Sequence, residues 1–143
     1  MSVSQISVFL ENKSGRLAEV TRTLADNQIN IRALCIAETI DYGVLRLIVS
    51  DPDAARQVLT DAGFTVTETQ VVVVEIPDRP GGLAQAIEGL AARGMNIEYI
   101  YAFVTTSGEN ANVVFRLEQP EEAAGLLAQA GFRILAGDEV YRL

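Results

Sequence analysis

The sequence predicts an α+β chain made of two copies of one βαββαβ module, and three observations carry that prediction. First, residues 12–37 laid on 78–103 agree at Gly15/Gly81, Leu17/Leu83, Ala18/Ala84, Leu24/Leu90, Ala25/Ala91, Asn30/Asn96 and Ile31/Ile97. Second, after a two-residue insertion around Ser107 to Asn110, residues 51–64 agree with 119–132 at Pro52/Pro120, Ala55/Ala123, Leu59/Leu127 and Ala62-Gly63-Phe64/Ala130-Gly131-Phe132. Third, stretches of alternating apolar residues and stretches of helical apolar spacing follow one another in the same order in both copies. Domains of 1–69 and 70–143 follow, and no Gly- or Pro-rich linker stands at Gln70 between them.

In the first copy "VSQISVFL" alternates and predicts a strand, and a polar turn at Asn12 to Gly15 leads into a helix whose Leu17, Val20, Leu24 and Ala25 share one face. "NIRALCIAET" predicts the second strand, "DYG" a hairpin turn and "VLRLIVS" the return strand. Asp51 before Pro52 is a cap followed by proline at the first helical position, so "PDAARQVLTDA" predicts the second helix. Gly63 then sits at a helix end that favours positive φ, and Phe64 opens the fourth strand. The second copy predicts a strand at "VVVVEI", a helix over 81–92, strands over 96–105 and 111–117, a helix over 120–130 and a strand from Phe132 onward. Two βαβ units with right-handed crossovers, joined by a hairpin, give the ferredoxin-like arrangement: an antiparallel sheet with both helices on one face. "VVVVEI" and the stretch Ile97 to Val104 are apolar on both faces, where such a sheet is normally polar on its helix-free side. The expectation is that a second copy of the chain covers part of that face, making a homodimer.

Composition narrows the function. With 143 residues and 49% hydrophobic content the chain is globular. Its net charge of −8 is negative in both halves, which argues against binding to nucleic-acid phosphates or to anionic membrane surfaces. No histidine and one cysteine, Cys35, exclude an internal disulfide, the usual zinc sites and imidazole-based catalysis, so neither cofactor nor metal is expected. The start, "MSVSQISVFLENK", lacks the pattern of a secretory signal, and a cytoplasmic address is expected.

"NKSGRLAEVTRTLADNQINI" and "DRPGGLAQAIEGLAARGMNI" resemble the signature of ACT domains: Asn/Asp-x-Pro-Gly-x-Leu, a helix, then Asn-Ile opening a strand. The resemblance covers nearly the whole chain twice, and it is closer to small stand-alone tandem-ACT proteins than to the tail of an enzyme. It implies a non-enzymatic regulatory protein that holds an amino acid where the first strand-to-helix loop of one domain meets a neighbouring domain. Carried over by position, it implies ligand-binding roles for Asn12, Ser14, Gly15, Arg16 and Asn30 in the first copy. In the second copy the matching residues are Asp78, Pro80, Gly81, Gly82 and Asn96. Asn30 and Asn96 are expected to face the same interface as the loops. Ser14 departs from the family's proline, and Gly82 is expected to loosen the second loop. Leu10 and Ile76 stand where phosphoglycerate dehydrogenase has a histidine, which argues against serine as the ligand. The loops suit an amino acid physically, because unsatisfied N–H groups and the positive dipole end at a helix start attract a carboxylate.

Plainer readings stand beside these. The glycines serve any tight turn, Asn12 and Asp78 any helix start, and an asparagine before a strand often satisfies its own turn. Cys35 fits a small core residue, Tyr99 and Tyr101 fit core or interface aromatics, and Asp138 and Glu139 a solvated end. Two other functions remain: an assembly module without ligand, and a phosphate-handling enzyme using Lys13, Arg16 or Arg79 on the same fold. The enzyme partner that a sensor would regulate is not specified by any residue.

Overall fold

A computed structural model describes residues 2–38, 41–104 and 108–143. The chain divides into two compact units, Ser4–Thr69 with Tyr141–Leu143, and Gln70–Val140 with Ser2 and Val3. No helix among the described residues is long and apolar enough to cross a membrane.

The first unit runs β1 (Val3–Glu11), α1 (Arg16–Asp26), β2 (Ile31–Glu38), β3 (Tyr42–Val49), α2 (Pro52–Asp61) and the start of β4 (Thr65–Pro77). Its strands lie in the order β2-β3-β1-β4. Antiparallel registers place Ile6 opposite Leu47 and Glu11 opposite Tyr42 across β1 and β3, and Ile31 opposite Val49 across β2 and β3. Ile6, Val8 and Leu10 therefore project on the same side as Leu45, Leu47 and Val49. They form one core with Val20 and Leu24 of α1, Ala55 and Leu59 of α2, and Phe64. Asp51 caps α2 as expected: its carboxylate accepts from the Ala54 N–H at 3.1 Å.

The second unit continues through β4 into α3 (Gly82–Ala91), β5 (Tyr99–Ala102), β6 (Asn110–Arg116), α4 (Pro120–Gln129), β7 (Arg133–Leu135) and α5 (Gly137–Tyr141), with strand order β5-β6-β4-β7. Val72, Val74 and Ile76 pack with Val113, Phe115 and Leu117, Ala86, Leu90, Ala123 and Leu127. Each of these is the repeat partner of a core residue in the first unit. Val20 becomes Ala86 while Leu47 becomes Phe115, so volume lost on a helix is regained on a strand, the exchange that close-packed cores tolerate. The two predicted ferredoxin-like modules, with antiparallel sheets and helices on one face, are thus formed.

Several local expectations are corrected. Tyr42 and Gly43, read as part of a hairpin turn, belong to β3, where they pair with Glu11 and Leu10; Thr39 and Ile40 lie outside the described residues. β5 is shorter than the predicted strand over 96–105, because Asn96 to Glu98 stay outside the ladder, and Thr105 lies outside the described residues. The last strand stops at Leu135. The Glu139 carboxylate accepts from the Ala136 N–H at 3.2 Å, a reach-back that starts α5, so Asp138 and Glu139 form a helical first turn rather than a loose end. Val71, Val73 and Val114 are fully buried and Tyr101 nearly so within the single chain. Ile100 and Val104 of the same stretch remain 36% and 64% exposed, so apolar surface for the expected second copy is still present.

The repeat also exposes one strained position. Each first helix ends in the same turn, closed by Ile29 N–H to Leu24 O at 2.9 Å and by Met95 N–H to Leu90 O at 3.1 Å. The second copy uses Gly94 there, at φ 71°, but the first uses Gln28, at φ 58°. A side chain in the left-handed region costs about 1–2 kcal/mol. Gln28→Gly is expected to stabilise the protein by about 1 kcal/mol in urea unfolding, after the extra unfolded-state entropy of glycine is offset.

Candidate functional site

The last buried residue of β1 is Leu10, and the chain must turn into α1 within six residues of it. It does so by one set of main-chain bonds, repeated at Ile76. Lys13 N–H donates to Glu11 O (2.8 Å), Arg16 N–H to Lys13 O (3.4 Å) and Glu19 N–H to Gly15 O (3.0 Å). In the second unit Arg79 donates to Pro77 (2.9 Å), Gly82 to Arg79 (3.1 Å) and Gln85 to Gly81 (3.0 Å). Gly15 and Gly81 hold φ 90° and 88° at the helix N-cap, which explains why glycine recurs there. A Cβ at either would meet open space, so conformation, not crowding, selects the residue. Neither helix start is capped by a side chain. The N–H groups of Leu17 and Ala18, and of Leu83 and Ala84, are those that α-helix geometry leaves without an internal partner.

Asn12, Ser14 and Gly15 are exposed on the first turn, with Arg16 half-buried behind them; Asp78, Pro80 and Gly81 are exposed on the second. Gly82 is different. It is buried, and a Cβ there would lie 2.2 Å from the Pro77 carbonyl oxygen. The expected loosening is therefore reversed: Gly-Gly lets α3 press closer to the end of β4. At the matching position Arg16 holds its guanidinium 4.6 Å above the Phe64 ring and 2.8 Å from Glu19. Lys13 pairs with Glu11 at 2.9 Å, and that hydrogen bond holds the Glu11 carboxyl below its usual pKa. Lys13 and Arg16 each pair with an exposed carboxylate, so an anion at the first turn has to displace Glu11 or Glu19.

Asn30 and Asn96 are not brought to these turns. The Glu11–Tyr42 and Ile31–Val49 pairs mark opposite ends of the sheet, separated by the eight residues of β2, roughly 20–25 Å. Asn30 accepts at its Oδ1 from Ile31 N–H (3.0 Å), and its own N–H donates to Ser50 Oγ (2.9 Å). It serves its local turn. Asn96 is exposed beside a cavity of about 280 Å³ bounded by Glu98, Leu117 and Gln119. Within one unit neither asparagine can reach a ligand held at the helix start.

Around the turns, Arg16 is joined by side chains that motif reasoning did not single out. A cavity of about 390 Å³ lies between the end of β1, the start of α1 and the α2–β4 turn, lined by Phe9, Glu11, Arg16, Tyr42, Gly63 and Phe64 among others. The matching cavity of the second unit, about 300 Å³, is lined by Glu75, Arg79, Gln85, Asn110, Phe132 and Arg133. The repeated Ala-Gly-Phe tripeptide was its signal, since Gly63-Phe64 and Gly131-Phe132 form one wall of each. Among the described residues no group of three or more acidic or cysteine side chains is placed to hold a metal. Cys35 is half-buried on β2 rather than in the core; burial pushes its thiol pKa up, against a smaller lowering by Arg46.

Comparison with known proteins follows from this geometry. The family model described as ACT domain pair matches residues 1–143. The crystal structure of protein BT0572 from Bacteroides thetaiotaomicron superposes with a TM-score of 0.93 at 46% identity, covering 100% of this chain and 98% of that one. The regulatory subunit of aspartate kinase from Thermus thermophilus, in its ligand-free form, gives 0.64 at 21% identity over 90% and 92%. The corresponding subunit from Thermus flavus gives 0.60 at 20% over 89% and 91%, and at this identity both show a shared fold. No curated protein matches the chain.

Gly82→Ala is expected to lower stability by about 1–3 kcal/mol in urea unfolding, because the new methyl must displace backbone. Gly89→Ala in the same helix meets open space and is expected to be stabilising, by up to about 1 kcal/mol. Cys35 is expected to alkylate with iodoacetamide more slowly at pH 8 in the folded protein than in urea, since a raised pKa leaves less thiolate.

Proposed function

The chain belongs to the ACT domain pair family, and on that premise we propose that it is a non-enzymatic regulatory module that binds an amino acid at its first strand-to-helix turns. Its α-carboxylate is taken by the uncapped start of α1 or α3, and each site is completed by residues of another ACT-type domain. The observation that carries the reading is the duplicated turn. The same bonds and the same left-handed glycine occur twice, and neither helix start carries a side-chain cap, a feature shared with α4 while Asp51 caps α2. Because Asn30 and Asn96 lie at the far ends of their own sheets, they can contribute only to a site on a different domain, which a homodimer supplies. We place the domain boundary at residues 69 and 70 and the protein in the cytoplasm, acting on an enzyme of amino-acid metabolism.

An assembly module without ligand is the second reading, and the second unit favours it. There Arg133 bridges Glu75 at 3.1 Å and also pairs with Glu139, so the polar groups beside the turn satisfy one another.

A thermal-shift series with the common L-amino acids at millimolar concentration tests the proposal. A ligand at about 100 times its Kd adds about 2.7 kcal/mol of apparent stability, a shift of several degrees for a chain of this length. A selective shift that Gly15→Val or Gly81→Val removes is expected. No shift with any amino acid would leave the assembly module.

A further inference from the structure

The two cavities beside the turns occupy the same place in the repeat but differ in chemistry at several positions. Phe9 of the first corresponds to Glu75 of the second, Thr65 to Arg133, Tyr42 to Asn110 and Arg16 to Gly82. In the second, Glu75 is 13% exposed and accepts from Arg133 Nη1 at 3.1 Å and from Asn110 Nδ2 at 3.2 Å. The cavity carries its own ion pair, and a ligand would have to break it.

Among the described residues the first has no such ion pair across it. Three of the chain's nine aromatic side chains, Phe9, Tyr42 and Phe64, line this one space, and Phe9 and Tyr42 remain 42% and 49% exposed. Its volume of about 390 Å³ falls in the roughly 300–1,000 Å³ range of small-molecule sites. Arg16 is the cation at its wall. Stacking on Phe64 fixes the guanidinium plane, and the buried Nε has no hydrogen-bond partner. Among the described residues its ion-pair partner is Glu19, an i,i+3 neighbour whose side chain is 57% exposed, and such surface pairs hold weakly. Glu11 supplies an anionic group to the same space.

We propose that the first unit alone uses this cavity, and that its ligand is a carboxylate bearing an aromatic or bulky apolar group. The carboxylate displaces Glu19 on Arg16, and the apolar group lies against Phe9 and Tyr42. The second unit's cavity is closed by Glu75 and Arg133. This rests on the reading of the turns as ligand sites and deepens it by naming the ligand class and the active copy. The shared chemistry comes from two sources, an aromatic or bulky α-amino acid or its deaminated acid, and Glu11 distinguishes them by accepting an ammonium.

Calorimetric titration with L-phenylalanine, 3-phenylpropionate, L-aspartate and L-lysine tests it. One equivalent of phenylalanine or of 3-phenylpropionate is expected to bind per chain. Arg16→Gln is expected to weaken it about tenfold or more, as loss of a charge-assisted bond does. The double variant Phe9→Glu/Thr65→Arg, which installs the second unit's pair in the first, is expected to do the same with the unliganded melting temperature little changed. It carries the test if Arg16→Gln does not fold. Phenylalanine binding better than 3-phenylpropionate assigns the amino acid, and the reverse assigns the deaminated acid. Aspartate or lysine binding in their place would overturn this inference and leave the amino-acid module standing. Two equivalents per chain, or binding indifferent to both variants, would also overturn it. No binding by any amino acid or by 3-phenylpropionate, in this titration or in the thermal-shift series, would remove both.

Discussion

The organisation of each unit depends on one backbone requirement: a buried strand residue, Leu10 or Ile76, must be followed within six residues by a helix lying back across the same sheet. In these two turns a left-handed residue at the helix N-cap makes that reversal, and Gly15 and Gly81 supply it at φ 90° and 88°. Once the turn is set, the helix face carrying Val20 and Leu24, or Ala86 and Leu90, falls on the strand face carrying the alternating core residues. The turn that orders the core is also the place where N–H groups are left open. Structure and candidate function therefore share a constraint, and a ligand reading needs no feature beyond those the fold already imposes.

Duplication releases the second use of that turn to diverge. Core positions keep their character through compensating volumes, since any uncompensated methylene is felt throughout a close-packed interior. Positions around the turn face no such restriction. Replacing Arg16 by Gly82 trades a charged wall for a close backbone approach, and replacing Phe9 and Thr65 by Glu75 and Arg133 trades open apolar surface for an internal ion pair. Such a pair, with Glu75 mostly buried, adds little net stability beyond what apolar packing would give, but leaving either partner alone would be costly. The exchange is therefore kept as a unit.

The repeat, the element order and the α2 cap were legible because each rests on local chemistry: periodicity, an Asp-Pro pair, recurring glycine. The lengths of β5 and β7 were not, because apolar alternation marks where a strand can form and says nothing of where its partner ends. α5 was hidden because its start is a reach-back from Glu139 to Ala136, a bond that five residues of sequence cannot distinguish from a polar tail. Asn30 was misplaced for a related reason: its motif neighbours the loop in sequence pattern, while the register of β2 on β3 carries it to the other end of the sheet. The wall formed by Gly63 and Phe64 was visible as a repeat but not as a site, since only the folded turn brings residues 63 and 64 beside residues 9 and 16.

An overall charge of −8 opposes the approach of a carboxylate at long range. At the cavity, distance decides otherwise. At physiological ionic strength the Debye length is about 8 Å, so charges on distant helices contribute little at the first cavity. What an anion meets there is the guanidinium of Arg16 against a low-dielectric aromatic wall, with Lys13 neutralising Glu11 at 2.9 Å. The net charge governs how the molecule repels other anions, including nucleic acid, at long range. Selection at the cavity is set instead by a few side chains, and those side chains are the ones in which the two copies differ.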